Sequence, residues 1–201
     1  MSKLYFKFGA MASSKTANAL MTRFNYEEKG NHVWLIKPDL DNRDDYTDEN
    51  GVRVTVVKSR IGLSAVADVV RRDEDIRVRF AALNEKQPID AIICDECQFL
   101  TAAQVDNLKY IAEYHDVPVL CFGLRSDFLT QLFEGSKRLF EIADSISEIK
   151  SVCQCGKKAI VNARIADGHV VTAGAQIEIG GNDKYEGMCW GCWQNRIKEG
   201  K

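Results

Sequence analysis

The chain predicts an α/β fold, a mostly parallel sheet with helices on both faces over residues 1–150, followed by a small C-terminal β domain over 151–201. Three observations carry this expectation. Short apolar runs alternate with segments of helical period, the rhythm of repeated βαβ units. A glycine-led turn ending in Lys15-Thr16 joins the first apolar run to the first helix-forming segment. After Lys150 the helical periods stop, and two cysteine pairs punctuate glycine-rich, β-like stretches. A chain of 201 residues, 45% hydrophobic and 28% charged, can bury one substantial core, which excludes disordered and fibrous classes.

The first strand is Leu4 to Phe8. Gly9-Ala10-Met11-Ala12-Ser13-Ser14-Lys15-Thr16 follows directly and opens a helix through Ala17 to Arg23. This is the context of a P-loop, as in the P-loop NTPase-type sheet. Backbone N–H groups of such a turn cradle phosphate oxygens, Lys15 neutralises them, and the Thr16 hydroxyl suits Mg²⁺. The alternative is an ordinary strand–turn–helix corner with a surface lysine. Ser14 stands where the motif usually has glycine, so its Cβ crowds the turn unless its dihedrals are helical.

His32 to Ile36 reads as a second strand, and the acidic, aperiodic Pro38 to Asn50 as a long loop. Ile89 to Cys94 is a third, buried strand. It runs into Asp95-Glu96, at the edge where α/β sheets bind ligands. Asp95 suits magnesium and Glu96 suits accepting a proton from a substrate hydroxyl, against the alternative of a solvated acidic turn. Thr101 and Gln104 form a capping-box pattern, after which Val105, Leu108, Ile111 and Ala112 share one helical face. Val117 to Phe122 is the fourth strand.

Cys153-Gln-Cys155 and Cys189-Trp-Gly-Cys192 supply four thiolates, a closed tetrahedral shell for a structural zinc ion, with a redox dithiol as the alternative. Cys94, Cys97 and Cys121 fall in or beside apolar strands and read as buried small hydrophobes. The three histidines are isolated near turns, and none reads as catalytic. Phe128 and Tyr185 lie among polar neighbours, in expected loops, as candidates to face a planar ligand.

Lys plus Arg number 27 against 29 for Asp plus Glu, so a net charge of −2 gives no overall attraction to nucleic acid or an anionic membrane. No apolar run approaches the roughly 20 residues of a spanning helix, and the N-terminus lacks a secretory pattern. A cytoplasmic chain with reduced cysteines is expected.

Taken in order, Gly9 to Thr16, Lys37-Pro38 with Asp41 and Arg43, Ser59-Arg60-Ile61-Gly62, Asp95-Glu96-Cys97-Gln98-Phe99, Gly123-Leu124-Arg125 with Asp127-Phe128, and Ile179-Gly180-Gly181-Asn182-Asp183-Lys184-Tyr185 carry a resemblance. From Lys3 to about Trp193 the chain is similar to type II thymidine kinases, the cellular and bacterial kind with a zinc-bearing lasso domain. The resemblance implies ATP-dependent phosphorylation of thymidine to thymidine 5′-monophosphate, with ATP, magnesium and structural zinc. It implies that Glu96 is the general base and that Gly9 to Thr16 hold the triphosphate, with Asp41, Arg43, Asp95 and Gln98 on the cofactor side. Phe128 would pack on the thymine ring. Gln176, Ile177, Glu178, Ile179 and Gly180 would form the lasso that reads the base edge, and Tyr185 would hydrogen-bond the nucleoside. A homotetramer is the implied assembly. A kinase for another deoxynucleoside and a zinc-ribbon ATPase on nucleic acid are the other readings; the charge balance counts against the second.

Overall fold

A computed structural model describes residues 2–177 and 184–200. In chain order the larger part comprises β1 (Leu4–Phe8), α1 (Lys15–Glu27), β2 (Val33–Pro38), two small hairpins, β3 (Tyr46–Thr47) with β4 (Arg53–Val54) and β5 (Val56–Lys58) with β6 (Ser64–Val66), then β7 (Asp68–Val70), α2 (Ile76–Lys86), β8 (Ala91–Cys94), α3 (Ala102–Tyr114), β9 (Val119–Gly123), α4 (Glu134–Ile142) and β10 (Ser145–Glu148). Six of these strands form one sheet in the order β10-β1-β9-β8-β2-β7. Every pairing in it is parallel.

Period-2 alternation divides the sheet between two cores. Leu4, Phe6, Trp34, Ile36, Ile92, Cys94, Val119 and Cys121 face one side, where Ile76 and Phe80 of α2, Val105, Leu108, Ile111 and Ala112 of α3, and Leu139 of α4 pack on them. Val33, Leu35, Ala91, Ile93, Leu120 and Phe122 face the other, under Ala19 and Leu20 of α1 and Val57 of the second hairpin. Both faces are covered, as an all-parallel sheet requires. The α3 capping box is present in full: the Thr101 side chain accepts from Gln104 N–H, and the Gln104 side chain accepts from Thr101 N–H.

Three expectations are modified. The segment after Pro38 is not loop throughout, because Tyr46–Thr47 pairs antiparallel with Arg53–Val54. The sheet gains edge strands β7, in which Val70 alone is buried, and β10, in which no residue is, so neither has a continuous buried apolar run to mark it. Helix also returns after Lys150. Beyond β11 (Ser151–Val152), β12 (Lys158–Ala159), β13 (Val161–Ala166), β14 (His169–Val170) and β15 (Tyr185–Met188), α5 runs over Trp190–Lys198, with the Cys189 side chain as its N-cap. Tyr185 therefore begins a strand.

The C-terminal part has its own small core of Cys153, Ala159, Val161, Ala163, Met188, Cys189 and Trp193, and Ala10 of the first turn packs into it. Asn162 ties the two parts together, accepting from Met11 N–H at 2.7 Å and donating to Ser126 O at 2.8 Å. Among the described residues no helix is long and apolar enough to cross a membrane.

Candidate active site

The central strands β1, β8 and β9 end together, and their following turns meet at the carboxyl edge of the sheet. Gly9 has no room for a side chain: a Cβ would lie 2.3 Å from Ser13 Oγ and 2.4 Å from Ile149 O. Ser14 sits at φ 60°, ψ 28°, the left-handed conformation, with no side-chain cap bond. Its dihedrals are thus the ones that glycine favours, and the serine bears a strain of about 1 kcal/mol or more. Ala12 is also left-handed, at φ 61°. Lys15 Nζ donates to Ala10 O at 2.9 Å, folding the ammonium back over the turn. Burial pulls the Lys15 pKa down, against the charges of Glu96 and Asp95, which raise it.

Asp95 is buried, and its carboxyl is pushed up to about 7 by burial first and by the Glu96 charge second, while a hydrogen bond from the Thr16 side chain acts the other way. Two adjacent carboxylates and a hydroxyl in a desolvated corner are a hard-oxygen donor set suited to magnesium.

Glu96 takes a left-handed conformation, φ 51°, at the turn into a short 3₁₀ segment, Cys97–Phe99. Its carboxylate is held at both oxygens. Arg43 Nη2 donates to Oε1 at 2.7 Å, and Gln98 Nε2 donates to Oε2 at 2.5 Å. Gln98 in turn accepts from Leu124 N–H at 2.9 Å. Arg43 Nε donates to Asp41 Oδ1 at 2.6 Å. Burial would lower the Arg43 pKa, but Glu96 and Asp41 outweigh it and keep the guanidinium charged. Behind them the fully buried Lys37 reaches Asp45 Oδ1 at 2.9 Å, Asp41 Oδ2 at 3.5 Å and Val56 O at 2.8 Å.

Two clefts meet at this polar chain. One is walled by Ala12 to Ala17, by Val57 to Ile61 and by Asp44 and Asp95. The other is mainly apolar, with Leu40, Phe99, Leu124, Phe128 and Phe133 in its walls and Ser126, Asn162, Gln176 and Tyr185 as polar groups. Met11, Asp41, Arg43 and Glu96 line both.

The structure thus brings Met11 to Thr16, Asp41, Arg43, Asp95 and Glu96 to the phosphate-loop cleft. Gly9 and Ala10 lie behind it, beside Arg125 and Ile160. Gln98, grouped by resemblance with the cofactor side, lines the apolar cleft instead. Phe128, Gln176, Ile177 and Tyr185 line that cleft as well, whereas Glu178, Ile179 and Gly180 lie outside the described residues. Phe128 is 1% exposed, and the Arg164 guanidinium lies 3.8 Å from its ring centroid, so only its edge and remaining face are available to a ligand. Gln176 Nε2 donates to Asp127 Oδ2 at 2.9 Å. The hydroxyl of Ser126, on the wall of the same cleft, is buried without a hydrogen-bond partner among the described residues. Sequence reasoning missed Arg164, Asn162 and Ser126, which carry no motif spacing.

The sulfurs of Cys153, Cys155, Cys189 and Cys192 all lie within 4.8 Å of one another, and the Cys155 and Cys189 sulfurs are 3.6 Å apart. A tetrahedron with Zn–S near 2.3 Å has edges of about 3.8 Å, so the cluster fits zinc. The shifts oppose all four groups ionising together: the Cys192 N–H pulls Cys189 down to about 7, while hydrogen bonds with Cys155 and Cys189 push Cys192 up to about 12. A bound cation would relieve this by favouring four thiolates together. Cys94, Cys97 and Cys121 are fully buried, as expected.

A family model described as thymidine kinase matches residues 2–193. The chain is 44% identical over 190 residues to a protein of Novosphingobium aromaticivorans named thymidine kinase, covering 94% of this chain and 95% of that one. Proteins of the same name from Vibrio cholerae and Pasteurella multocida are 41% and 40% identical, each over 94% of this chain and 95% of their own length.

Proposed function

The chain belongs to the thymidine kinase family, and from that premise we propose that it transfers the γ-phosphoryl group of ATP to the 5′-hydroxyl of thymidine. One observation supports this most strongly: a phosphate-loop cleft and an apolar, aromatic-walled cleft meet at Glu96, Arg43, Asp41 and Met11. Phosphoryl transfer needs donor and acceptor brought together at a base and a compensating charge.

In this reading Met11 to Thr16 cradle the triphosphate and Lys15 neutralises it. Glu96 takes the proton of the 5′-hydroxyl. Arg43 and Gln98 each use one lone pair of its carboxylate, which leaves each oxygen a further site to accept from substrate. Both bonds also favour the ionised carboxylate that a base must be. Arg43, fixed by Asp41, lies where charge builds on the transferred group. Magnesium, held by Thr16 and Asp95, supplies further neutralisation of the phosphate oxygens when bound. Pyrimidine and sugar occupy the apolar cleft, with Phe128, Gln176, Ile177, Tyr185 and the stretch 178–180 around the base.

The four cysteines hold one structural zinc, which staples the small domain over 151–201 to residues 1–150. We assign the active form as a homotetramer in the cytoplasm. Exposed Met21, Phe24, Leu63 and Val66, grouped beside one cleft, support burial between copies, and seven unbridged cysteines support a reducing compartment.

The test is ADP formation from ATP with thymidine, deoxyuridine, deoxycytidine or single-stranded DNA added in turn. Thymidine-dependent ADP release with thymidine monophosphate as product supports the proposal. ADP release stimulated only by DNA, or a clear preference for deoxycytidine, contradicts it.

A further inference from the structure

Arg164 projects from β13 into the apolar cleft's surroundings and is only 4% exposed. Burying a guanidinium is costly unless its charge and its donors are well used. Here the plane lies over Phe128, with Cζ 3.8 Å from the ring centroid and 5.4 Å from that of Tyr185. At its rim Nε donates to the Tyr185 hydroxyl at 3.0 Å, and Nη2 donates to Ala175 O at 3.1 Å. Gly174, at φ 133°, takes a conformation that other residues rarely adopt, just before the carbonyl of Ala175 turns to Arg164. One side chain therefore touches three separate pieces of sequence that all line, or lead into, the same cleft.

We infer that Arg164 is a positioning residue for the nucleoside, a buried fork that fixes the Phe128 ring, the Tyr185 hydroxyl and the main chain entering Gln176–Ile177 as one preformed wall. The inference rests on the thymidine reading above and deepens it. Its physical content is preorganisation. A wall already held needs no ordering when substrate arrives, so its benefit falls on nucleoside affinity. The Tyr185 hydroxyl accepts from Arg164 Nε, which fixes its place in the cleft wall. The Ala175 carbonyl, turned to Arg164, sets the direction in which Gln176 and Ile177 reach the pocket wall. Lysine cannot replace this arrangement, because an ammonium neither lies flat on a ring nor spans two acceptors in a fixed plane. The phosphate-loop cleft has no part in these contacts, so ATP binding should be insensitive to them.

The experiment compares Arg164→Lys and Arg164→Met with wild type in the full chain, measuring KM for thymidine, KM for ATP, kcat and zinc content. KM for thymidine should rise roughly 10-fold or more in both variants, the scale of losing hydrogen bonds to a charged group, while KM for ATP changes by less than about 2-fold and zinc content stays the same. An unchanged thymidine KM in Arg164→Lys overturns the inference, and so does an equal rise in both KM values, which would mark a merely structural role. Should Arg164→Met fail to fold, Tyr185→Phe in the wild-type and Arg164→Lys backgrounds decides. Its effect on thymidine KM should be largely lost when Arg164 is already lysine, and full additivity would overturn the proposal. Wild-type protein inactive on thymidine would overturn the functional reading itself, a result separate from any difference between variants.

Discussion

Replacing Lys37 with methionine removes a single charge from a deeply buried polar cluster. The Lys37 side chain is 1% exposed, and those of Asp41 and Asp45 are 9% and 5% exposed. Methionine keeps most of the volume, so the packing loss is small and the electrostatic loss dominates. Asp45 keeps its bond from Arg53 Nη2 at 2.7 Å, whereas among the described residues Asp41 keeps only Arg43 as a charged partner. Removing one partner of a buried ion pair costs about 3–5 kcal/mol, and the remaining arginines place Lys37→Met near the lower end, about 3 kcal/mol. The assay is urea unfolding at neutral pH. The pH dependence adds a second signature. In the folded chain the Asp45 carboxyl is held below its ordinary value: burial opposes this, but hydrogen bonds from Lys37 and Arg53 prevail. Its contribution is present above the unfolded pKa of about 4 and is lost as pH falls below that toward the folded value. Lys37→Met should flatten that acid-side loss. Because Asp41 carries Arg43 and Arg43 carries Glu96, kcat should fall as well. A stability change under about 1 kcal/mol with unchanged kcat would refute the reasoning.

Other outcomes follow from the same geometry. Cys192→Ser should lose the bound zinc and loosen the C-terminal part, while Cys94→Ser retains one zinc per chain; metal analysis after purification without chelator checks both, and full zinc in Cys192→Ser would contradict the cluster's role. Ser14→Gly removes a left-handed non-glycine residue from the phosphate loop, so folding stability should rise by up to the strain of about 1 kcal/mol, offset in part by the extra freedom of glycine when unfolded, while ATP binds about as tightly as to the wild type. Weaker ATP binding by calorimetry would show that the serine hydroxyl contributes to the cradle.

The central strands, the α3 capping box and the four-cysteine cluster were legible in the sequence, because each depends on local spacing or on continuous apolar burial. Edge strands β7 and β10 were not, since segments of three or four residues with one buried residue or none lack both signals. Helix α5 was hidden behind the cysteine pair that caps it. At the site, Asp95 and Glu96 announced themselves by following a buried strand. Lys37, Asn162 and Arg164 did not, because a buried polar side chain is defined by partners distant in sequence: Met11 and Ser126 for Asn162, Phe128 and Tyr185 for Arg164. The glycine place in the phosphate loop shows the converse case. The motif gave the required conformation, and the chain adopts it despite carrying serine there.

The most direct test of the account is turnover of Glu96→Gln on thymidine with ATP. Glutamine keeps the shape but offers one acceptor oxygen, so it accepts from Arg43 or from Gln98 and not from both, and it cannot take the 5′-hydroxyl proton. With both substrates still bound, as titration calorimetry would verify, kcat should fall by about 10²- to 10⁴-fold, the usual contribution of a general base. A variant that binds both substrates and turns over thymidine at close to the wild-type rate would contradict the assignment of Glu96 at the junction of the two clefts as the base.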